Sequence, residues 1–348
     1  MTRRKFLRLT GSALTVAGLP MVARLGGAEA PPPPSHGFGG PTPNTDFYVT
    51  SYGSTPAVDV ARWRLKIHGL VSEPFSLSLG DIQRLPQVKQ QLTLECIGNR
   101  PNGSAIGNAN WTGVKLRPLL ARVGVKRNSV YAAIRGADGY STGIPIDEIM
   151  REENWMPFLM NGVPLPPVHG YPLRLFIPGK YGMKQPKWIT EIEFVDHKYV
   201  GYWEGRGWSN EAWRKVNSGF FSPTPDASSL GDSGLSRFMD LVSLGAAAKV
   251  NAPVEIVGWA LAGPSGIKRV EISTDDGVTW TEARLVENSS PYVWTIWKYH
   301  FRPKAIGEFS IRVRATDGTG KTQPARDPES YLGQSAQARM KINVLSVA

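Results

Sequence analysis

The last third of the chain contains a series of short runs rich in β-branched and aromatic residues, and turn residues separate most of them. Asp276-Gly277, for example, stands between two of these runs, where glycine supplies the positive φ of a tight hairpin turn. Regularly spaced short strands with such turns are typical of a β-sandwich, which we predict for residues 250–348. The runs extend over Val254–Leu261, Ile267–Ser273, Val278–Val286, Val293–Phe301, Phe309–Thr316 and Ala338–Leu345.

Residues 46–221 combine strand and helix patterns, which predicts an α+β domain. Apolar and polar residues alternate in Trp63–Leu70, as they do in a half-buried strand. Ser78–Leu85 begins with a residue type that caps helices, so we predict a short helix there. Two further apolar runs, Leu173–Pro178 and Trp188–Phe194, predict strands.

Three further segments lie outside these two domains. A basic start that includes Arg3-Arg4, an apolar stretch and the small residues of Ala28-Glu29-Ala30 predict a twin-arginine signal peptide over residues 1–30. An ordinary secretory signal is the alternative, and the prolines that follow leave open whether the segment is cleaved or stays as an anchor. We predict a Pro/Gly-rich arm over residues 31–45 and a linker over residues 222–249.

The type of signal carries a functional expectation. Proteins exported by the twin-arginine route cross the membrane already folded, and a cofactor that is inserted in the cytoplasm requires such a route. We therefore expect a periplasmic protein that carries a prosthetic group.

The chain lacks the sequence patterns of several common functional classes. Its formal net charge is +11, but no block of Lys and Arg stands out, so we expect no nucleic-acid partner. It has no P-loop, no Gly-x-Gly-x-x-Gly after a strand and no His-Glu-x-x-His. The five histidines do not have the spacing of metal ligands, which argues against a zinc site.

Cys96 is the only cysteine of the chain. It follows an apolar, strand-like run and has no second cysteine with which to form an internal disulfide. Three interpretations remain open from its surroundings: a buried small hydrophobic residue, a nucleophile or a metal ligand.

The segment Cys96–Arg100 resembles the molybdenum-ligating segment of the sulfite oxidase family. Further segments follow in the order and spacing of that family, and the resemblance covers almost all of the chain after residue 30. It implies a sulfite-oxidase-type molybdopterin-binding domain followed by an all-β, immunoglobulin-like dimerisation domain. The matching segments are Trp111–Leu116, Asn161–Pro166, His169–Arg174, Pro178-Gly179, Lys187-Trp188, Gly258–Ala260, Val270–Ser273, Gly277–Trp280 and Arg314–Asp317.

The resemblance implies a molybdenum ion held by a molybdopterin cofactor and by one protein thiolate. Cys96 would be this ligand and a catalytic residue, since a soft thiolate suits a transition metal. Four residues would bind the cofactor, and cationic side chains among them suit its phosphate. Each has an ordinary alternative: Arg174 could pair with a surface acid, and His169 could cap a turn. The four residues are Asp138, His169, Arg174 and Lys187.

The positions that bind sulfite in this family differ in this chain. Thr50 and Pro101 stand where the family has arginines, and Trp208 stands where it has an active-site tyrosine. An oxyanion such as sulfite requires charge-assisted donors, so we expect a different, less charged substrate. Arg100 could compensate for part of the lost charge, and we assign Arg100 and Trp208 catalytic roles.

The sequence thus predicts a periplasmic molybdenum oxidoreductase that transfers an oxygen atom to or from a small-molecule substrate in a two-electron reaction. No Cys-x-x-Cys-His segment for haem attachment occurs, so we expect a separate cytochrome as the electron partner. The C-terminal resemblance implies a homodimer. Two alternatives stay open: a non-catalytic binding protein that retains the fold, and a reductase of sulfoxide-type substrates.

Overall fold

The computed structural model describes residues 39–222, 246–286 and 290–346. The predicted signal peptide over residues 1–30 lies outside these ranges, as does most of the predicted linker. Within them, no helix is both long enough and apolar enough to cross a membrane.

The first half of the described chain contains nine strands and three short α-helices, in agreement with the predicted α+β domain. The elements are β1 Leu65–Gly69, β2 Phe75–Leu77, α1 Leu79–Gln83, β3 Gln87–Glu95, β4 Ile106–Lys115, α2 Arg117–Val123, β5 Tyr131–Gly136, β6 Ser141–Pro145, α3 Ile146–Ile149, β7 Trp155–Met160, β8 Val163–Pro164 and β9 Ile189–Val195. They form a five-stranded sheet in the order β2-β1-β9-β5-β6 and a four-stranded sheet in the order β3-β4-β7-β8. Only the β1–β9 pair of these two sheets is parallel, among the described residues.

Helix α1 begins where the sequence places its cap. The Ser78 hydroxyl accepts a hydrogen bond from the Asp81 N–H (3.1 Å), and the Asp81 carboxylate accepts one from the Ser78 N–H (2.8 Å). This reciprocal pair is a capping box. Ile82 of the helix is fully buried in the main core of the N-terminal half. The predicted helix is therefore confirmed, although it ends at Gln83.

The C-terminal part forms a β-sandwich, as predicted. Its strands are β10 Asn217–Ser222, β11 Ala246–Lys249, β12 Val254–Leu261, β13 Ile267–Ser273, β14 Thr281–Glu282, β15 Arg284–Val286, β16 Thr295–Phe301, β17 Gly307–Asp317 and β18 Ala338–Leu345. One sheet has the order β10-β12-β16-β15 and the other β11-β18-β17-β13-β14. Ile256 and Trp297 of the first sheet pack in one core with Ile272, Val313 and Ile342 of the second, so the two sheets lie face to face.

The predicted strand over Leu173–Pro178 is wrong. The backbone N–H of Arg174 donates to the Pro157 carbonyl, and the N–H of Leu175 donates to the Pro186 carbonyl, both at 3.1 Å. Among the described residues the segment forms only an isolated bridge, between Phe176 and Trp155 of β7, and no continuous ladder, although it is buried throughout. The apolar run reflects burial on both sides rather than membership of a sheet.

Two other strands differ from the expectation. The run Val278–Val286 gives only β14, which pairs with β13, and β15, which pairs with β16, because the chain passes from one sheet of the sandwich to the other between them. Strand β10, which we placed at the end of the catalytic domain over residues 46–221, instead pairs with β12 of the sandwich.

Strand β3 joins the two halves of the protein. The Thr93 N–H donates to the Tyr292 carbonyl (3.1 Å), and the Trp294 N–H donates to the Thr93 hydroxyl (2.9 Å). The same hydroxyl donates to Asn108 Oδ1 (3.1 Å), and the Thr93 side chain is fully buried. The junction therefore lies only three residues before Cys96.

Replacing the Thr93 hydroxyl is expected to weaken this junction. Thr93→Val preserves the shape but leaves the buried Trp294 N–H without its acceptor, which costs about 1–3 kcal/mol. Urea unfolding should show this loss. The matched control is Thr190→Val, which removes a longer 3.3 Å hydrogen bond within the N-terminal half. Equal stability of Thr93→Val and the wild type would contradict the assignment.

Candidate active site

Cys96 is held in a tight turn directly after β3. Its N–H donates to the Ala105 carbonyl and its carbonyl accepts from the Asn99 N–H, both at 2.9 Å. The Asn99 side chain closes the turn, since its Oδ1 accepts from the Ala105 N–H (3.1 Å) and its Nδ2 donates to Glu95 (3.0 Å). The position of the sulfur is therefore defined by backbone and side-chain hydrogen bonds on both sides.

The thiol opens into a cavity of about 150 Å³. Residues 48–52, the Cys96 turn, the loop between β5 and β6 and the segments that follow β8 and β9 contribute its walls. The cavity brings together five of the seven residues predicted for the site, namely Cys96, Asp138, Arg174, Lys187 and Trp208. The other lining residues are Tyr48, Thr50, Ser51, Tyr52, Ile97, Gly98, Tyr140, Gly182, Met183, Gln185, Pro186, Trp188 and Trp203.

Two donors face the Cys96 sulfur, and a tryptophan lies beside it. Burial raises the pKa of the thiol, whereas hydrogen bonds from the Gly98 N–H and the Thr50 hydroxyl lower it. A Cβ atom placed on Gly98 would lie 3.5 Å from the Trp208 ring and 3.9 Å from the sulfur. The Trp208 ring edge and the sulfur therefore border the same small space, and Gly98 keeps that space open.

Two cationic side chains also line the cavity. Arg174 is buried and donates to the carbonyls of His169 (3.2 Å) and Gln185 (3.1 Å), but its Nε has no hydrogen-bond partner among the described residues. Burial lowers its pKa to about 10, so the guanidinium stays charged at neutral pH. The arginine does not pair with a surface acid, which was its ordinary alternative.

Lys187 is the second cation of the cavity. Its Nζ donates to the Ser51 hydroxyl (3.1 Å) and to the Val168 carbonyl (3.0 Å). Burial and the nearby charge of Arg174 lower its pKa to about 7. The negative charge of Asp138 only partly offsets this lowering of the Lys187 pKa. Asp138 is itself half-buried, and burial raises its own pKa. The local field thus disfavours a second positive charge until an anion enters the cavity.

His169 and Arg100 do not line the cavity. His169 is buried, with its Nε2 2.9 Å from the Asn44 carbonyl and its ring edge-on to Phe47, and burial lowers its pKa. Its contribution to the cavity is its own carbonyl, which holds Arg174. Arg100 is exposed on the outer side of the Cys96 turn and is not placed to compensate for missing charge inside.

Several residues of the site were missed by sequence reasoning. Tyr48 lines the cavity, and burial followed by the negative charge of Cys96 raises its pKa, so its phenol keeps the proton. The Tyr140 hydroxyl donates to the Met183 carbonyl (2.7 Å). Tyr48 follows Phe47 in the sequence, but only the fold shows that this segment lines the cavity of the thiol.

A buried ion pair supports the cavity walls and was also missed. Lys184 Nζ lies 2.5 Å from Glu204 Oε1, and neither side chain is significantly exposed. Glu204 follows Trp203 and Lys184 follows Met183, so the pair joins two of the lining segments. No sequence pattern links an acid and a base that lie twenty positions apart in different loops.

The residues present fit an anionic cofactor that carries a soft metal. A thiol, two cations and the acceptor-seeking Nε of Arg174 face one cavity. The buried Gln185 Oε1 also lacks a partner among the described residues and could accept a donor from a polar heterocycle. Arg174 and Lys187 would hold the anionic part, and Cys96 would ligate the metal.

The binding of an anion to the cavity is expected to weaken as pH rises through about 7. Lys187 with a pKa of about 7 is protonated below this value and neutral above it, so the cofactor-free protein loses one of two cations. Calorimetric titration with sulfate, whose charge is the same at pH 6 and pH 8, measures the effect. Lys187→Met should remove the pH dependence, whereas Lys126→Met on the surface should not. Equal affinities of the wild type at both pH values would contradict this prediction.

Comparisons with known proteins identify two domains in the chain. Residues 52–203 match the oxidoreductase molybdopterin binding domain, and residues 239–345 match the Mo-co oxidoreductase dimerisation domain. The chain is 32% identical over 165 residues to the uncharacterized oxidoreductase YuiH of Bacillus subtilis (strain 168), and the match covers 47% of this chain and 81% of YuiH.

Two longer matches extend over both domains. The mitochondrial sulfite oxidase of Mus musculus is 29% identical over 330 residues, which cover 84% of this chain and 59% of the mouse protein. The chain thus spans about three fifths of the length of this relative. The structure of the sulfane dehydrogenase SoxCD from Paracoccus pantotrophus has the same fold, with a TM-score of 0.73 and 24% identity over 98% of this chain and 96% of that one. The chain therefore belongs to the sulfite oxidase family of molybdopterin-dependent oxidoreductases.

Proposed function

We propose that this protein is a molybdenum oxidoreductase in which Cys96 ligates the metal of a molybdopterin cofactor. The observation that carries the proposal is that the single thiol of the chain opens into the same cavity as Asp138, Arg174 and Lys187. When bound, the cofactor supplies two-electron redox chemistry with transfer of an oxygen atom.

The side chains of the protein would bind and orient the cofactor, and they would exclude water from it. Arg174 and Lys187 hold the anionic cofactor, because a buried guanidinium and an ammonium stabilise negative charge that water would otherwise solvate. Tyr48 keeps its phenolic proton beside the thiol and is placed to donate a hydrogen bond to substrate oxygen. Trp203 and Trp208, which line the cavity, would limit the access of water.

We propose a neutral oxygen-atom donor or acceptor as the substrate, such as a sulfoxide or a thioether, rather than sulfite. Thr50 and Trp208 lie beside the sulfur, and we assign the two cations of the cavity to the cofactor. Exposed Arg100 does not supply a replacement charge. An oxyanion would enter this space without charge-assisted donors of its own.

We also propose a cellular location, an electron partner and an oligomeric state for the protein. The twin-arginine segment supports export to the periplasm, and a separate cytochrome would accept or deliver the electrons. The match of residues 239–345 to a dimerisation domain supports a homodimer. We also propose that the sandwich has immunoglobulin-like topology. The alternative of a non-catalytic binding protein is distinguished by the first of the two predictions below.

Removal of the thiol is expected to abolish metal binding and activity together. Cys96→Ser replaces a soft thiolate by a hard hydroxyl, which binds molybdenum poorly. Metal analysis and redox assays on protein from the native export system measure both quantities, and circular dichroism checks folding. Ser104→Ala, in the same loop but outside the cavity lining, is the control. Unchanged function of folded, metal-free Cys96→Ser would support the binding protein instead.

Charge beside the sulfur is expected to decide between sulfite and neutral substrates. The wild type should turn over a neutral sulfoxide or thioether with a higher kcat/KM than sulfite. Thr50→Arg adds a cation there and should raise kcat/KM for sulfite at least about tenfold, because one charge-assisted contact contributes about 1.4 kcal/mol or more. Thr50→Val, which adds no charge, is the control. Efficient sulfite oxidation by the wild type would contradict the proposed substrate class.

A further inference from the structure

We infer that Asn217, in the first strand of the C-terminal sandwich, is a positioning residue for the metal ligand. It acts through Glu95, the residue directly before Cys96. The inference rests on the proposed function, because it takes Cys96 as the ligand of the cofactor metal. It assigns to the sandwich domain a role in the geometry of the metal site in addition to any role in dimerisation.

Glu95 is the centre of the argument. Its side chain is fully buried, and its Oε1 accepts two amide hydrogen bonds, from Asn99 Nδ2 (3.0 Å) and Asn217 Nδ2 (2.7 Å). Asn99 is part of the turn that holds Cys96, because its N–H donates to the Cys96 carbonyl (2.9 Å). Any shift of the Glu95 carboxylate is therefore transmitted to the turn that carries the sulfur.

The orientation of Asn217 is set by the sandwich. Gln323 Nε2 donates to Asn217 Oδ1 (3.3 Å), so the Nδ2 end of the amide must face Glu95. Gln323 is fixed in turn, since its Oε1 accepts from the Ser218 hydroxyl (2.5 Å) and from the Ala315 N–H of β17 (2.9 Å). The three side chains of the relay, Glu95, Asn217 and Gln323, are all buried.

One buried cation accompanies the relay. Arg214 donates through Nη1 to the Thr93 carbonyl (3.2 Å). Burial raises the pKa of the Glu95 carboxyl group, and the positive charge of Arg214 opposes this rise. Two amide donors and one cation thus stabilise a carboxylate that has no access to water. Loss of one donor from such a group is not compensated by solvent, so the carboxylate and the turn beside it must rearrange.

The relay connects residues that are far apart in sequence. Glu95 and Asn217 are separated by 122 positions, and Asn217 and Gln323 by 106. Neither Asn217 nor Gln323 lines the cavity. We assign the effect of Asn217 on the metal site to its contact with Glu95, which directly precedes Cys96.

The test compares two variants at the same junction in the cofactor-loaded protein. Asn217→Leu has nearly the same volume but cannot donate to Glu95. Ser335→Ala removes the hydrogen bond from the Ser335 hydroxyl to the Val216 carbonyl (2.5 Å), one residue away, without touching Glu95. The readouts are the electron paramagnetic resonance spectrum of the bound molybdenum and its rate of release to a chelator. If Asn217→Leu does not fold, Asn217→Ser, whose hydroxyl is too short to reach Glu95, replaces it.

We expect a changed spectrum and release at least about tenfold faster in the Asn217 variant, with wild-type values for Ser335→Ala. A wild-type spectrum and release rate in a folded Asn217 variant would overturn the inference, as would equal changes in both variants. If the wild type contains no molybdenum, the proposed function fails, and the alkylation rate of Cys96 by iodoacetamide tests the relay instead. The rate should then rise at least about tenfold in the Asn217 variant alone, and equal rates would overturn the inference.

Discussion

The walls of the cavity depend on buried charged side chains that form specific ion pairs. Taking an ion out of water costs several kcal/mol, and removing one partner of a buried pair costs about 3–5 kcal/mol. Lys184 and Glu204 satisfy this requirement with each other, and Lys180 does so with Glu148 at 2.6 Å. Because these side chains come from different segments, each pair fixes two loops at once. The walls of the cavity are therefore held by electrostatics as well as by apolar packing.

Two cations that line the cavity, Arg174 and Lys187, do not form such pairs. Both are at least half-buried, and no carboxylate lies within ion-pair distance of either among the described residues. Carbonyl oxygens hold them in place without neutralising them. The cost of keeping two such cations close together is recovered only when an anion binds. The same feature explains the lowered pKa of Lys187 and the fit to an anionic cofactor.

The elements that local patterns specify were predicted well. Strands β12, β13 and β18 have the predicted bounds, because alternation and flanking turns are properties of a few neighbouring residues. The apolar segment Leu173–Pro178 was misassigned, since periodicity cannot distinguish a buried strand from a buried extended segment. Arg100 was assigned to the site by its closeness to Cys96 in sequence, whereas the turn directs it to solvent. The relay through Asn217 is invisible to local patterns because its members are more than a hundred positions apart.

The register of β3 explains why the thiol and the sandwich are connected. Side chains two positions apart lie on the same face of a strand, and Thr93 and Glu95 both bind the C-terminal part, through Trp294 and Asn217. Leu92 and Leu94 have the opposite parity and pack in a core of the N-terminal half. Cys96 comes next with the parity of the leucines, so it turns away from the sandwich and towards the cavity. One strand thus holds the sandwich with one face and presents the sulfur on the other, which makes the position of the metal ligand a property of both domains.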